Sequence, residues 1–470
     1  MKIYFKSTYE ALPINYICCL KPKEMLISSE NKRTLQLAIP IIIANLVQVL
    51  MGIIDSAMVG AINSDLLAAS SLVVNVISIP YILCIGLTLA VATLISSALG
   101  ARQTSTMTDV LKNALLLNGL FALAIAMIIQ ILSFVVHHMG QDAIVAELAQ
   151  PYLEIMGWSI IPMILFLTLK QFSDGLEETK WPMYTSLATI PANIILNYIL
   201  IYGKLGFPRM ELVGAGIGTL LTRVFMLIAM AILIVKSPKF KDYIDSVYEK
   251  WQPKWATMKS LLKIGIPTSM QYAMESWAFS VSGIMIGWLG AQQQASHQIA
   301  LSLASFTFMV SLGLSAAGSI RVSNAKGRGD LVQLRKIGKG TLKMAIIYGV
   351  LCGLIFIIFR HQLPWIFNDE APVIAAAAHL LILAAIFQIS DSTQAIGVGL
   401  LRGIHDVRIP TLFVIIAYWG IGIPAGYVLA FPLGLEATGI WIGLVFGLTV
   451  SAIMLNLRFF RLTKRQILVS

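Results

Sequence analysis

Charged side chains are scarce in this sequence. Asp, Glu, Lys and Arg together make up 12% of the 470 residues, whereas hydrophobic residues make up 57%. A typical soluble domain carries about 25% charged residues. A soluble fold could not hide so much apolar surface, so the composition excludes an ordinary soluble protein.

Cysteines are few, and the motifs of common enzymes are missing. Of the four cysteines, Cys18 and Cys19 are adjacent, and Cys84 and Cys352 each lie inside an apolar run. This spacing excludes a disulfide framework and a zinc site. The sequence contains no phosphate-binding Gly-x-x-x-x-Gly-Lys-Ser/Thr loop, no His-Glu-x-x-His and no Gly-x-Ser-x-Gly. We therefore expect neither an ATP-driven pump nor an enzyme, and no cofactor.

Long hydrophobic runs take up most of the chain instead. Each extends for about 20 residues, which is enough for a helix to cross the roughly 30 Å hydrocarbon core of a bilayer. Gly, Pro and charged residues bound the runs. They predict twelve transmembrane helices, near residues 38–60, 70–98, 113–136, 148–170, 183–202, 212–235, 262–289, 297–320, 338–359, 373–401, 409–430 and 437–460.

The basic residues fall almost wholly on one side of these predicted spans. Lys204, Arg209 and Arg360 lie on the far side and Arg223 lies inside a span, while the other 30 of the 34 Lys and Arg residues share the side of both termini. The positive-inside rule then places both termini in the cytoplasm. We expect the chain in the cell inner (plasma) membrane. The net charge of +11 does not indicate nucleic acid, because the basic residues are spread over short loops.

The order of the runs divides the chain into two halves. The polar segment 236–260 separates six predicted spans in residues 31–235, the N-lobe, from six in residues 261–461, the C-lobe. We interpret this segment as a cytoplasmic linker, and residues 1–30 and 462–470 as a cytoplasmic N-terminal segment and tail. Residues 1–30 have no continuous apolar stretch followed by a small-residue cleavage site, so we expect no signal peptide.

An internal repeat supports this division. Residues 86–100 and 313–327 each begin and end with Gly, contain small residues and close the second and eighth predicted spans. Six spans per half bring both halves into the membrane from the same side. The duplication predicts an all-α integral membrane protein with twelve transmembrane helices, in two pseudo-two-fold related six-helix lobes around a central cavity.

Few ionisable residues lie within the predicted spans. A charge at the bilayer centre costs about 2.5–3.5 kcal/mol or more, so each calls for an explanation. They are Glu275 in the seventh span, Asp391 in the tenth and Asp55 in the outer part of the first, with Arg223 as the one base. A buried carboxyl tends to hold a proton or recruit a metal cation, and a cationic substrate can displace either, which is the chemistry of antiport. The alternative is a structural carboxyl, hydrogen-bonded to Ser, Thr or Tyr or paired with Arg223.

Two polar features accompany these acids. Asn193 and Asn197 lie one turn apart on one face of the fifth span, where they would coordinate an ion, orient Asp55 through hydrogen bonds or serve helix packing. His297 begins the eighth span, and a structural hydrogen bond is a simpler interpretation of it than a proton relay.

Several segments are similar to one known family of membrane transporters. The sequence Ala-Ala-Gly-Ser-Ile-Arg-Val-Ser-Asn-Ala-Lys-Gly at 316–327, and Gly-Ile-Pro at 265–267 followed by Glu275, resemble the multidrug and toxic compound extrusion family, and within it the NorM-like bacterial branch. Further similarities are Ile-Asp-Ser-Ala-Met-Val-Gly at 54–60 and the position of Asp391 in the tenth span.

The resemblance implies two six-helix lobes that form a V-shaped cavity and export cationic, amphiphilic compounds in exchange for Na⁺ or H⁺. It implies that Glu275 and Asp391 are the C-lobe carboxylates that bind the coupling cation, and that they are the ligands if this cation is sodium. It also implies that Asp55 is the N-lobe acid beside Asn193 and Asn197. These five are the predicted residues for cation coupling and substrate binding.

Two positions depart from the family pattern. Phe387 stands one turn before Asp391 where some NorM-like members carry tyrosine, which removes an oxygen ligand for sodium. Asn197, in place of an acid, separates the chain from the branch with two N-lobe carboxylates. The coupling ion therefore stays open between sodium and the proton.

The main alternative function is that of a lipid-linked oligosaccharide flippase from the same superfamily. Its cavity would carry basic residues for a pyrophosphate head group, and Arg223 alone hardly supplies them. A membrane enzyme would need a convergent nucleophile and base, and no such set occurs in the sequence. As partners we expect small organic cations as substrates and membrane lipids, no nucleic acid, and a monomeric protein.

Overall fold

The computed structural model describes residues 29–138, 142–244 and 252–469. Within these ranges the long elements are all helices and no strand occurs. Helices suit a lipid environment because they satisfy every backbone hydrogen bond within one segment. The twelve long ones are α1 (Ser29–Gly60), α2 (Ser64–Gly100), α3 (Thr104–Val135), α4 (Ala143–Gly175), α5 (Lys180–Tyr202), α6 (Glu211–Lys236), α7 (Trp255–Gly287), α8 (Ala291–Gly327), α9 (Leu331–Ile358), α10 (Ala371–Gly403), α11 (Arg408–Ala430) and α12 (Glu436–Val469).

The predicted fold class is confirmed. Among the described residues, eleven of these helices are long and apolar enough to cross a membrane. The twelfth, α7, has 33 residues but a more polar middle, which carries Gln271, Glu275 and several serines. The chain is a multi-pass membrane protein.

The helices extend beyond the hydrophobic runs that predicted them. α7 begins at Trp255, inside the segment 236–260 that we interpreted as a linker. α12 continues to Val469, so residues 462–469 of the expected tail are helical. Charged residues end a hydrophobic run but not a helix, because Lys, Arg and Glu are good helix formers. The expectations for residues 1–28 and 245–251 fall outside the described residues.

Buried apolar side chains form two large clusters. One lies mainly in the first half of the chain and includes Leu153, Phe166 and Phe172. The other lies mainly in the second half and includes Tyr418 and Trp441. Each cluster is the hydrophobic core of one lobe. The lobes meet where α1 and α2 pack against α7 and α8.

The contact between α2 and α8 has pseudo-two-fold symmetry. Ser96 Oγ donates to the Ile320 carbonyl at 2.5 Å, and Ser323 Oγ donates to the Thr93 carbonyl at 2.7 Å. A two-fold rotation exchanges these two bonds, since Thr93 and Ser96 of the first lobe correspond to Ile320 and Ser323 of the second. The internal repeat is therefore visible as a self-complementary interface, as in a symmetric dimer.

Glycines bring the ends of the same two helices into backbone contact. Gly100 lies against the carbonyl of Asn324, and Gly327 lies against the carbonyl of Ser97 in the reciprocal position. A Cβ at either glycine would overlap the facing carbonyl oxygen. Only glycine permits this close approach.

Polar contacts also close the molecule at the side where α1 begins and α12 ends, which we call the terminal face. Arg321 of α8 forms an ion pair with Glu30 of α1 and donates to Thr34 Oγ1 at 2.6 Å. Asn324 Nδ2 donates to Glu177 Oε1, just after α4, at 3.1 Å. These contacts join the two lobes, so the terminal face is shut.

Candidate transport site

A cavity of about 800 Å³ opens away from the terminal face. The parts of α7 and α8 that line it flank the loop joining these helices, which lies at the opposite face. α10 supplies a further wall, and α2 of the first lobe supplies Asn75 and Ile82. Aromatic, small and uncharged polar side chains line this cavity together with two acids, Glu275 and Asp391.

Glu275 lies in the middle of α7 and is 9% exposed. Gln394 Nε2 on α10 donates to its Oε1 at 3.0 Å, and Tyr418 OH on α11 donates to the same oxygen at 3.2 Å. Tyr418 OH is also 3.2 Å from Gln394 Oε1. Side chains from two other helices therefore orient one carboxylate oxygen, and Oε2 accepts no hydrogen bond from the described residues.

Irregular winding in α11 brings Tyr418 to Glu275. Residues 416–422 form a π-helical segment that contains two glycines and is followed closely by a proline. The wider π turn changes which side chains face the neighbouring helices. Tyr418 is fully buried, and the adjacent Trp419 Nε1 donates to the Met274 carbonyl on α7 at 3.1 Å. Local winding thus completes the Glu275 site.

Asp391 lies on α10 and is 3% exposed. Within the described parts of the chain, its carboxylate makes no side-chain hydrogen bond. The hydroxyl of the neighbouring Ser392 is bonded to Ser311 at 2.9 Å instead. Because Asp391 lines the same cavity as Glu275, two carboxyl groups share one partly desolvated site.

Phe387, one turn before Asp391, contributes a ring to this site and no oxygen. Its ring centroid lies 5.9 Å from that of Phe279 and 5.7 Å from that of Trp441. Among the described residues, no group of three or more His, Cys, Asp or Glu side chains could hold a metal ion. A sodium ion bound by the two acids would therefore need hydroxyl, amide or water oxygens as further ligands.

The predicted N-lobe residues form a second cluster. Asn197 Nδ2 donates to Asp55 Oδ1 at 2.6 Å, and Thr219 Oγ1 donates to Asp55 Oδ2 at 3.3 Å. Asn197 Nδ2 is also 3.4 Å from Asn193 Oδ1. A Cβ at Gly218 would overlap Asn197 Oδ1, so the glycine provides room for this amide. Asn197 therefore contacts Asp55 directly. The two asparagines lie on one face of α5, as their spacing of four residues indicates.

Arg223 forms no ion pair with Asp55 in the described structure. Its Nη1 donates instead to Ser159 Oγ on α4 at 2.6 Å. Asp55, Tyr81 and Tyr152 are still near enough to Arg223 to interact with it electrostatically. Among the described residues, the hydrogen-bond partners of the Asp55 carboxylate are uncharged, so no cationic side chain contacts it directly.

Asp55→Asn should impair transport without unfolding the N-lobe. Asparagine keeps an oxygen for Asn197 Nδ2 and a polar group for Thr219 Oγ1, but it removes the charge and the capacity to carry a proton. We expect proton-driven efflux from reconstituted vesicles to fall more than sodium-driven efflux. The matched control is Asp142→Asn, because Asp142 is an exposed N-cap of α4 that asparagine replaces well. If the Asp55→Asn protein showed the same efflux rate as the wild type and the Asp142→Asn control, Asp55 would be excluded from coupling.

The structure divides the five residues predicted from the sequence between two places. Glu275 and Asp391 come together in the cavity. Asp55, Asn193 and Asn197 lie together in the other lobe. The three acids therefore belong to two separate candidate sites for the coupling ion or the substrate.

Three partners of these acids were missing from the prediction. Gln394 follows Asp391 by three residues on one face of α10, so helical spacing could have identified it. Tyr418 had no such signal, because its direction depends on the π-helical segment. Thr219 could not be distinguished in the sequence, because threonines in apolar helices commonly bond to their own backbone.

Two six-helix lobes, closed together at one face and enclosing an acid-lined cavity that opens toward the other, define a membrane transporter. In membrane transporters of this architecture, the substrate site lies between the two lobes.

Comparison with known proteins identifies the family. The MatE family model matches residues 40–199 and 267–428, one segment in each half. A probable multidrug resistance protein NorM from Mesorhizobium japonicum is 33% identical over 446 residues, which cover 93% of this chain and 95% of the relative. A multidrug resistance protein NorM from Photobacterium profundum is 33% identical over 437 residues, with 91% and 95% covered. The crystal structure of the eukaryotic MATE transporter AtDTX14 superposes with a TM-score of 0.83 at 21% identity, covering 93% of this chain and 98% of that one.

The chain therefore belongs to the MatE family of multidrug and toxic compound extrusion transporters. It is a transporter and not an enzyme. The two matched segments begin at residues 40 and 267, which have the same separation as Gly100 and Gly327 at the α2–α8 contact. Family membership and the pseudo-two-fold packing thus report the same duplication.

Proposed function

We propose that this transporter exports cationic, amphiphilic compounds in exchange for Na⁺ or H⁺ by alternating access. The acidic lining of the cavity is the observation that supports this proposal. Glu275 and Asp391 line it, and no Lys or Arg is among the described residues that do so. A low-dielectric cavity lined by one sign of charge concentrates ions of the opposite sign. Phe279 and Phe308 add aromatic rings, whose faces attract organic cations.

The two acids supply the competition that exchange requires. A desolvated carboxylate is stabilised by a proton, a sodium ion or an organic cation, and binding of one reduces the attraction for the next. A coupling ion that arrives at Glu275 and Asp391 therefore releases a bound organic cation. Gln394 and Tyr418 both donate to Glu275, so they orient its charged form.

We propose that both termini face the cytoplasm and that the protein lies in the inner membrane. The distribution of basic residues supports this orientation. The closed terminal face is then cytoplasmic, and the cavity opens to the outside. Transport would require the lobes, residues 31–235 and 261–461, to rock until the α2–α8 contact separates. One chain supplies both lobes and the cavity, so we propose that a monomer transports.

The cavity weighs against a lipid-linked oligosaccharide flippase. A pyrophosphate group is recognised by Arg and Lys side chains. Among the described residues, no Lys or Arg lines this cavity, and its two acids offer a pyrophosphate group no positive charge. Arg223 is not among the lining residues, and it is bonded to Ser159.

Efflux of ethidium from proteoliposomes, measured with sodium and proton gradients imposed separately, tests the proposed exchange. We expect transport when one of the gradients is present and none when both are absent. Protein-free liposomes under the same gradients control for leakage. Ethidium movement that is independent of both gradients would contradict coupled exchange, and the gradient that drives efflux identifies the ion.

Single cysteines in a cysteine-free background should report the proposed orientation. Ala61 lies in the exposed loop after α1, and Gln252 lies just before α7 on the terminal face. A membrane-impermeant maleimide added to intact cells should label Ala61→Cys and not Gln252→Cys, whereas permeabilised cells should show both labelled. Labelling of Gln252→Cys in intact cells would contradict the proposed orientation.

A further inference from the structure

Two buried polar atoms on α8 have no hydrogen-bond partner among the described residues. They are His297 Nε2 and Gln294 Oε1, and both residues line the cavity. The two side chains lie one turn apart, so they occupy the same face of the helix. Buried polar groups in native proteins are nearly always bonded. Unpaired atoms beside a cavity are candidates for a hydrogen bond to a ligand or to a water molecule.

A hydrogen bond on the other side of the imidazole sets the position of its proton. Trp441 Nε1 donates to His297 Nδ1 at 3.2 Å. An indole N–H is a donor only, so Nδ1 accepts and Nε2 carries the hydrogen. A second proton on Nδ1 would break this bond. His297, which is 1% exposed, is therefore neutral and offers one N–H group to the cavity.

Two glycines of α7 lie opposite the two unpaired atoms. A Cβ at Gly283 would lie 3.6 Å from His297 Nε2, and a Cβ at Gly287 would lie 3.7 Å from Gln294 Oε1. The two glycines are one turn apart on α7, as the two polar residues are on α8. At these two positions α7 therefore places no side chain against the unpaired atoms.

We propose that Gly283, Gly287, Gln294 and His297 form a neutral hydrogen-bonding subsite for an amide or hydroxyl group of the exported compound. Either group has an acceptor for the Nε2 hydrogen and a donor for Oε1. Gly283 follows Glu275 by eight residues on α7, about 12 Å along the helix axis. The subsite therefore favours cations that carry a polar group at about this distance from the charge. The inference rests on the proposed function, because it assigns the ligand to the exported class.

Two phosphonium cations that differ only by an amide test the subsite. (Biphenyl-4-yl)triphenylphosphonium has no hydrogen-bonding group, and its 4′-carbamoyl derivative has one at the far end of the biphenyl. In titration calorimetry of the purified full-length protein, the amide should bind about three- to ten-fold more tightly, the effect of one net hydrogen bond. Gly283→Ala should remove this preference, because its methyl group would lie against His297 Nε2. The measured quantity is the ratio of the two affinities, because Gly283 lines the cavity and its substitution acts on both cations.

Gly52→Ala is the matched control for a glycine within a spanning helix, because nothing lies within 4 Å of its added Cβ. Equal affinities of the wild type for the two cations, or binding of neither, would overturn the subsite. A preference that survives both Gly283→Ala and His297→Phe would overturn it as well. Binding in detergent needs no ion gradient, so an amide preference without gradient-driven efflux would count against the proposed transport alone.

Discussion

Glu275→Gln and Asp391→Asn should each abolish gradient-driven efflux from proteoliposomes while leaving the protein folded and inserted. The amides keep the size and shape of the acids. A glutamine at the first position still offers an oxygen to Gln394 Nε2 and Tyr418 OH. What is lost is the charge that binds sodium and the group that carries a proton. A purely structural carboxyl would tolerate this change.

The expected loss is large because both acids are desolvated. Two unit charges 4 Å apart attract each other by about 4 kcal/mol at an effective dielectric constant of about 20. Removing one carboxylate should therefore weaken cation binding by roughly two to three orders of magnitude. An amide cannot take up a proton at all, so proton coupling through that position would end.

Glu370→Gln is the matched control for these two variants. Glu370 is exposed at the start of α10, the helix that carries Asp391, and it does not line the cavity. We expect wild-type efflux from this protein. Full efflux from both Glu275→Gln and Asp391→Asn, at normal membrane abundance, would show that the acids are structural and that the coupling mechanism is wrong.

Gly100→Ala and Gly327→Ala should open the terminal face and stop transport. The added methyl group would overlap the carbonyl of Asn324 in one case and of Ser97 in the other, so α2 and α8 have to separate. A cysteine at Ala92, which is 5% exposed between the lobes, should then become reactive toward an impermeant maleimide supplied at the terminal face of inside-out vesicles. Transport should fail because one of the two alternating states is lost.

Gly119→Ala separates this effect from the general effect of adding a methyl group to a spanning helix. Its Cβ would meet only Leu165, at an ordinary contact distance of 3.5 Å. Labelling at position 92 and efflux should both stay at wild-type levels in this control. Normal efflux and continued protection of position 92 in both the Gly100→Ala and Gly327→Ala proteins would show that the glycine contact is not required for closure.

The architecture could be predicted from the sequence because its signals are local. Each span is a continuous apolar run, and the repeat is visible in the glycines that end residues 86–100 and 313–327. Helix ends were less predictable. α7 starts at Trp255 and α12 runs to Val469, because helices continue through charged residues outside the hydrocarbon core.

The acids of the candidate sites were also accessible from the sequence, whereas their surroundings were not. A carboxyl within an apolar run is conspicuous because burying it is costly. Which groups bond to it depends on other helices. Tyr418 lies 143 positions beyond Glu275 in sequence, and it reaches the carboxylate only through the winding of residues 416–422.

The sequence by itself determined the number of spans, the duplication into two lobes and the three buried acids. These follow from run length, from a repeat in the order of residues and from the free energy of burying charge, all of which can be read along the chain without knowing how its helices pack. Only the tertiary structure decided that Glu275 and Asp391 share a cavity, that Asp55 lies in a separate cluster and that the terminal face is closed. These features depend on how helices from distant parts of the chain pack, as where Gly100 meets Asn324, and no local pattern specifies that geometry.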